Sequence, residues 1–229
     1  MCGRFARHSD PRDFRQFHDF MGLSELADLA PSYNVAPSDK ALVVRIMNSE
    51  QPIASILVWG LKPNWFGASK KTPPINARSE TIDSRPMFRE AFAKRRCLVL
   101  CDGYYEWQRR SSGPKQPYYI YAPTMKPFAL AGLWECNEHV EIKPFDTFCI
   151  LTVPANKDIG HIHERMPLRL PYNYYSDWLD STVSGSELLD ELMQSEHSDW
   201  ESYPVSRYVN KPMNNSKRCT EPLLVADKI

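Results

Sequence analysis

The sequence predicts an α+β fold: one domain over residues 2–225, built on a curved, mainly antiparallel sheet or open β-barrel with flanking helices. Three observations predict it. Strand-length apolar runs crowd the centre of the chain, segments with helical spacing lie toward its two ends, and no strand–helix–strand alternation signals a parallel sheet. With 229 residues, 42% of them apolar, and six Trp, the chain can bury a substantial core.

Residues 11–29 (PRDFRQFHDFMGLSELADL) carry apolar side chains at helical spacing and read as a helix, interrupted near Gly22. Residues 42–60 read as a hairpin, with LVVRI and IASILVWG on either side of a turn at Asn48 to Pro52. Residues 63–75, rich in Pro, Trp and Lys, read as a loop, and a short helix is expected within 79–94, around Phe88 to Phe92. RRCLVLCDGYYEW is a β-rich run interrupted at Asp102-Gly103, a pair that favours a turn. PYYIYAP, FALAGLWE and DTFCILTVPA continue the strand pattern. Tyr174 to Leu179 and Ser186 to Gln194 are expected to be helical, and the tail from Pro204 holds a short PVS strand and a polar loop. No internal repeat or low-complexity linker divides the chain.

Composition narrows the function classes. No apolar run opens the first twenty residues, and none approaches the ~18 residues of a membrane span, so a cytoplasmic protein without a membrane partner is expected. In that setting the six Cys read as reduced thiols rather than a disulfide framework. The formal net charge is zero but unevenly spread. Residues 176–201 carry eight acidic side chains and no Lys or Arg, whereas residues 1–175 carry 23 basic against 18 acidic. The acidic stretch reads as a solvated helix that masks a basic remainder, so nucleic acid stays open as a partner. A monomer is expected, since no long apolar surface pattern demands a second chain.

The most informative position is Cys2, in Met1-Cys2-Gly3-Arg4-Phe5. A small residue after an initiator Met favours removal of that Met, which leaves an α-amine and a thiol on adjacent carbons. These groups titrate near ~8 and ~8.5 when unperturbed, close to cellular pH. Together they can attack an amide as a thiolate, or condense with an aldehyde through nitrogen and then sulfur. Three further segments are unusually polar: Ile75 to Glu80, Asp102 to Trp107, and His161 to Pro167. Glu106, between Tyr105 and Trp107, is suited to hold and pass a proton. His163 with Arg165 could form an acid/base and anion-binding pair. No phosphate, dinucleotide or metalloprotease fingerprint is present. Cys97 and Cys101, about 13 Å apart on one strand face, are poorly spaced to share an ion, so no metal or cofactor is expected.

In order along the chain, MCGRF, YNVAP (33–37), WGL-P-W (59–65), INARSET, CDGYYEW, IHERMP, PVS and a late VN segment resemble the SRAP family, the SOS-response-associated peptidases. The resemblance runs from Cys2 to about Asn215. It implies a protein that recognises abasic sites in single-stranded DNA, possible ss/ds junctions included, and caps the ring-opened sugar as a thiazolidine on Cys2, by lyase-type Schiff-base chemistry. It implies Asn76 as the residue that positions the terminal amine, and Glu106 and His163 as proton-transfer groups. Arg4, Arg78 and Arg165 are implied as phosphate contacts, with Arg85 as a further candidate, and Pro37 and Trp107 as base-stacking groups. His163 takes the role over His161 because it precedes x-Arg-Met-Pro. The tail departs from the family pattern, reading VNKPMNN. The peptidase of the family name is implied only as self-removal of Met1. Two other readings are weighed against this one. A glutamine amidotransferase-like N-terminal hydrolase would also start Met-Cys-Gly, but it usually needs an Asn-Gly oxyanion loop, and the chain has no Asn-Gly pair. A non-catalytic single-strand-binding module would make Cys2 incidental.

Overall fold

A computed structural model describes residues 2–9, 13, 30–47, 51–66, 71–124, 126–136, 146–194 and 199–223. The helix expected over 11–29 lies outside them, apart from Asp13. The α+β class holds, with the strands arranged in two sheets rather than one. The expected hairpin is β3 (Lys40–Arg45) and β4 (Ile53–Trp59), antiparallel with Lys40 opposite Val58. The β-rich run becomes β6 (Arg96–Cys101) and β7 (Gly103–Gln108). The break at Asp102 is the corner at which the chain leaves one sheet for the other.

The larger sheet orders β11 (Arg165–Pro167), β10 (Thr147–Pro154), β4, β3, β6, β9 (Phe128–Glu135) and β12 (Arg169–Leu170). Since β10 also pairs with β9, this sheet curls back on itself. A short β5 (Asn76–Arg78) joins β10 in parallel, with Asn76 opposite Ile150. The smaller sheet orders β13 (Glu201–Pro204), β8 (Gln116–Tyr121), β7, β1 (Phe5–Arg7) and β2 (Ser32–Val35). The tail strand therefore falls at 201–204, slightly before the expected PVS, and Val205 makes an isolated bridge to Pro222.

Helices are few. The first, α1 (Arg89–Lys94), buries Ala91 and Phe92, and α2 (Tyr175–Leu179) buries Tyr175, Trp178 and Leu179. The acidic segment contains α3 (Gly185–Gln194), which turns Leu188, Leu189 and Leu192 inward and Glu187, Asp190 and Glu191 outward, the amphipathic pattern of a solvated surface helix. No described helix is long and apolar enough to cross a membrane.

The corner at Asp102 is held by its carboxylate, which accepts the His8 and Ser9 backbone N–H groups at 2.5 and 3.0 Å and the Ser9 hydroxyl. The next residue must be glycine, since a Cβ on Gly103 would lie 2.5 Å from the Tyr119 ring. Because side chains alternate along β7, Tyr104 and Glu106 face the main core while Tyr105 and Trp107 face the other way. That outer face is covered by the C-terminal tail, whose Val205, Val209 and Cys219 pack with Ala6, Tyr105 and Tyr119.

The main core also buries Cys97, Cys101 and Cys149 completely, and burial pushes each thiol above its ordinary 9.0. The sign follows from linkage. Above that pH the unfolded chain releases these protons and the folded chain keeps them, so stability is complete below 9.0 and is lost as pH rises beyond it. The midpoint of thermal unfolding should therefore fall between about pH 8 and about pH 10. A flat profile across that range would show that these thiols are not buried as neutral groups.

Candidate active site

Cys2 lies just ahead of β1 and is fully buried, its thiol directed at the Arg4 carbonyl 3.9 Å away. Burial first, and the Glu106 carboxylate second, push this thiol upward. Asn76, the first residue of β5, donates from Nδ2 to the Cys2 carbonyl at 2.8 Å. Its Oδ1 is buried and has no hydrogen-bond partner among the described residues. β5 is short and half-buried, but its parallel pairing to β10 fixes where Asn76 points. Glu106 is brought in by β7, which pairs with β1 so that Tyr104 stands opposite Phe5, and the residue is buried, 3% exposed. Cys2, Asn76 and Glu106, drawn from three separate segments, thus meet in one place.

His163 closes a turn built by Asn156, whose side-chain oxygen accepts the Asp158 and Ile159 backbone N–H groups at 3.1 and 3.2 Å. The His163 N–H donates to the Ile159 carbonyl at 3.1 Å. Its Nδ1 lies 3.0 Å from the Arg165 backbone nitrogen and 3.2 Å from the Arg165 carbonyl oxygen, so the ring is held against the Arg165 backbone through Nδ1. His161 is exposed; its carbonyl accepts from Gln108 and its ring stands edge-on to Tyr118 at 6.4 Å. The imidazole tied into the backbone of β11 is therefore that of His163.

The arginines divide into two pairs. Arg165 is buried, with both Nη groups on the Glu80 carboxylate, one at 3.0 Å, and a further bond to the Thr152 carbonyl at 2.6 Å. The Arg165 hydrogen bonds hold the Glu80 carboxyl below its ordinary range. Arg4 is buried too, donating to Asn34 Oδ1 at 2.7 Å and the Val209 carbonyl at 2.9 Å, and it lies 5.9 Å from the Trp107 ring. Both guanidinium groups are anchored to protein acceptors through Nη atoms, while the Nε of each is buried without a hydrogen-bond partner among the described residues. Arg78 and Arg85 are exposed, and with Asn76, Thr81 and Phe88 they line a cavity of about 440 Å³. Arg78 and Arg85 are the exposed cations of this cavity among the described residues.

Trp107 is half-buried on the outer face, with Nε1 donating to Asn210 Oδ1 at 2.8 Å. The tail that carries Asn210 is riveted by Asn34, whose Nδ2 donates to the carbonyls of Val209, Lys211 and Asn214. Pro37 is exposed at the turn after β2.

Three contributors were not assigned from the sequence. Asn210 buttresses Trp107, and its place in the VN segment is the only signal for it. Trp65, within the WGL-P-W motif, is 62% exposed and lines a second cavity of about 370 Å³ with Lys71 and, shared with the first, Arg85 and Phe88. Tyr104 lies two residues from Glu106 on the same strand face, a relation that period-2 alternation could have shown. Among the described residues no group of three or more His, Cys, Asp or Glu side chains could hold a metal ion.

The profile of the family described as SOS response associated peptidase (SRAP) matches residues 1–212. Abasic site processing protein YoaM of Bacillus subtilis (strain 168) is 36% identical over 218 residues, covering 94% of this chain and 96% of its own length. Abasic site processing protein HMCES of Xenopus tropicalis is 29% identical over 271 residues, covering 100% of this chain and 80% of that protein. A solved structure of a phage-related protein from Bordetella bronchiseptica superposes with TM-score 0.71 at 30% identity, over 89% of this chain and 94% of that one. A protein from Bacteroides thetaiotaomicron shares the fold, with TM-score 0.81 at 23% identity over 97% of this chain and 100% of that one. Since the profile runs from the buried cysteine at the start of the chain to the tail segment that braces Trp107, the chain belongs to the SRAP family.

Proposed function

We propose that this protein processes abasic sites in single-stranded DNA by capturing the ring-opened sugar on Cys2 as a thiazolidine, within one domain spanning residues 2–225. The observation that carries the proposal is the 2.8 Å bond from Asn76 to the Cys2 carbonyl. It fixes the backbone of the residue whose amine and thiol are both reactants, and the unpartnered Asn76 Oδ1 is suited to accept from the amine once Met1 is gone. Restricting two reacting groups in this way lowers the entropic part of the barrier.

The steps follow from the groups present. The α-amine adds to the C1′ aldehyde, and the hydroxyl so formed takes up a proton from solvent and leaves as water, giving an iminium. The Cys2 thiol passes its proton to Glu106. The sulfur then bonds to the iminium carbon, and the C=N electron pair returns to nitrogen. The five-membered ring is neutral and no longer carries the iminium that would favour β-elimination and strand cleavage. His163, whose Nδ1 is held against the Arg165 backbone, serves as the acid for the sugar ring oxygen. Arg78 and Arg85 face the phosphates in the cavity beside Asn76, and Trp107 and Pro37 contact the flanking bases. Arg4 and Arg165 act one layer behind, bracing Trp107 and the His163 turn. Removal of Met1 is the only peptidase step the proposal needs.

The test is a single-stranded oligonucleotide with one uracil, treated with uracil glycosylase, incubated with the protein and run on a denaturing gel. A heat-stable band at the combined mass is expected without added reductant. Its absence at every protein concentration would sink the proposal.

A further inference from the structure

The chemistry above gives no part to the cations of the C-terminal tail. Between Glu201 and Glu221 the chain has four basic residues, Arg207, Lys211, Lys217 and Arg218, and no acidic one, although the whole chain is balanced at 28 of each sign. All four are exposed. Like charges gathered in this way repel one another and oppose compact structure.

Yet the segment that carries them is closely fastened. It holds two 3-10 turns, Arg207–Asn210 and Lys217–Cys219, and the Arg218 guanidinium lies 4.8 Å from the Tyr208 ring, joining one turn to the other. Asn214 spans them, donating from Nδ2 to the Tyr208 carbonyl at 2.6 Å and accepting the Cys219 thiol on its own carbonyl at 3.2 Å. From beneath, Asn34, itself 2% exposed, binds the carbonyls of Val209, Lys211 and Asn214, and Arg4 binds that of Val209 as well. These bonds draw tail carbonyl oxygens toward the interior, while the cations stay outside. The surface begins at Trp107, because Lys211 follows Asn210, whose side chain accepts the indole N–H at 2.8 Å.

Fixed, uncompensated cations suit a polyanion whose phosphates recur along a strand. Beside them Met213 is 93% exposed, so its thioether adds nothing to the packing of the fold. A polarizable sulfur favours aromatic faces. Base faces are open to such a contact in an unpaired strand and closed in a duplex, so the pair of chemistries favours a single strand.

We propose that the tail is a second DNA-binding surface: Lys211, Lys217 and Arg218, with Met213 among them, take the backbone of the single strand that leaves Trp107 on one side of the lesion. The inference rests on the reading of this protein as one that binds single-stranded DNA, and not on the thiazolidine step.

The test is the triple variant Lys211→Gln, Lys217→Gln, Arg218→Gln, compared with the wild type by fluorescence anisotropy on oligonucleotides of about 6 and about 20 nucleotides, within and beyond the usual single-strand site. The three side chains are exposed, so thermal stability should change little. Affinity for the longer strand should fall about 10-fold at low salt, and its log–log salt slope should drop by about 2, since each cation on a single strand accounts for about 0.7. Affinity for the shorter strand, centred on the lesion, should be unchanged, as should the rate of adduct formation at saturating DNA. Lengthening each flank in turn should expose the loss on one side only. Equal affinities of the two proteins for the longer strand, the same loss on short and long strands, an equal loss on both flanks, or a loss seen only when the flank is paired to a complement would each overturn the assignment. A wild type that binds no oligonucleotide overturns the DNA reading and this inference together. A length-dependent loss from a wild type that forms no heat-stable adduct upholds the tail surface, and the thiazolidine reading alone fails.

Discussion

Cys2→Ala is expected to abolish the heat-stable adduct completely while leaving one that borohydride can trap. The variant keeps the α-amine and the Asn76 bond to the residue-2 carbonyl, so an iminium still forms. It lacks the sulfur that closes the ring. The open iminium then either hydrolyses or acidifies the sugar toward β-elimination, so nicked strand should appear where the wild type gives none. The substitution removes one buried sulfur whose hydrogen bond to the Arg4 carbonyl is 3.9 Å long, and the fold should lose only about 1 kcal/mol. The measurement is a time course on denaturing gels, with and without borohydride, scoring adduct and nicked strand together. If Cys2→Ala retains a heat-stable adduct, the sulfur is not the capping atom.

Glu106→Gln separates two roles that a simple loss of activity would confuse. The carboxylate is buried beside Cys2, and its charge helps to push the thiol upward. Removing that charge lowers the cost of the thiolate, so if Glu106 acted only through its field, the amide would accelerate capture. If it accepts the thiol proton, the amide has no basic site and capture slows by about 10²–10⁴-fold, the usual worth of general acid/base help. The second outcome is expected. It is read from single-turnover rates at several pH values, where a gain in rate at high pH from direct ionisation of the thiol would confirm the missing base.

What the sequence discloses about this protein follows the range of the interactions involved. The hairpin at 42–60 and the break at Asp102-Gly103 depend on local alternation and turn chemistry, and both were legible. That the break joins two different sheets was not, because it depends on β7 pairing with β1 from the start of the chain. Short strands such as β5 carry no periodicity, and only pairing to β10 defines them. The site shows the same division. Cys2 and Glu106 could be picked out by their chemistry and Asn76 by the family resemblance, and the fold brings them together. The burial of Arg4 and Arg165 could not be foreseen, since it is created by the distant partners Val209 and Glu80. The loss of solvent around Arg4 lowers its pKa, but the carbonyl and amide acceptors keep the guanidinium in place.

The central claim is that both arms of the Cys2 aminothiol end up bonded to one sugar carbon. Intact mass of the wild-type adduct with an abasic oligonucleotide tests it most directly. The account predicts the mass of the protein without Met1, plus that of the oligonucleotide, less one water, unchanged by heating and unchanged by borohydride. An adduct that retains Met1, or one that gains two hydrogens on borohydride treatment, would contradict it.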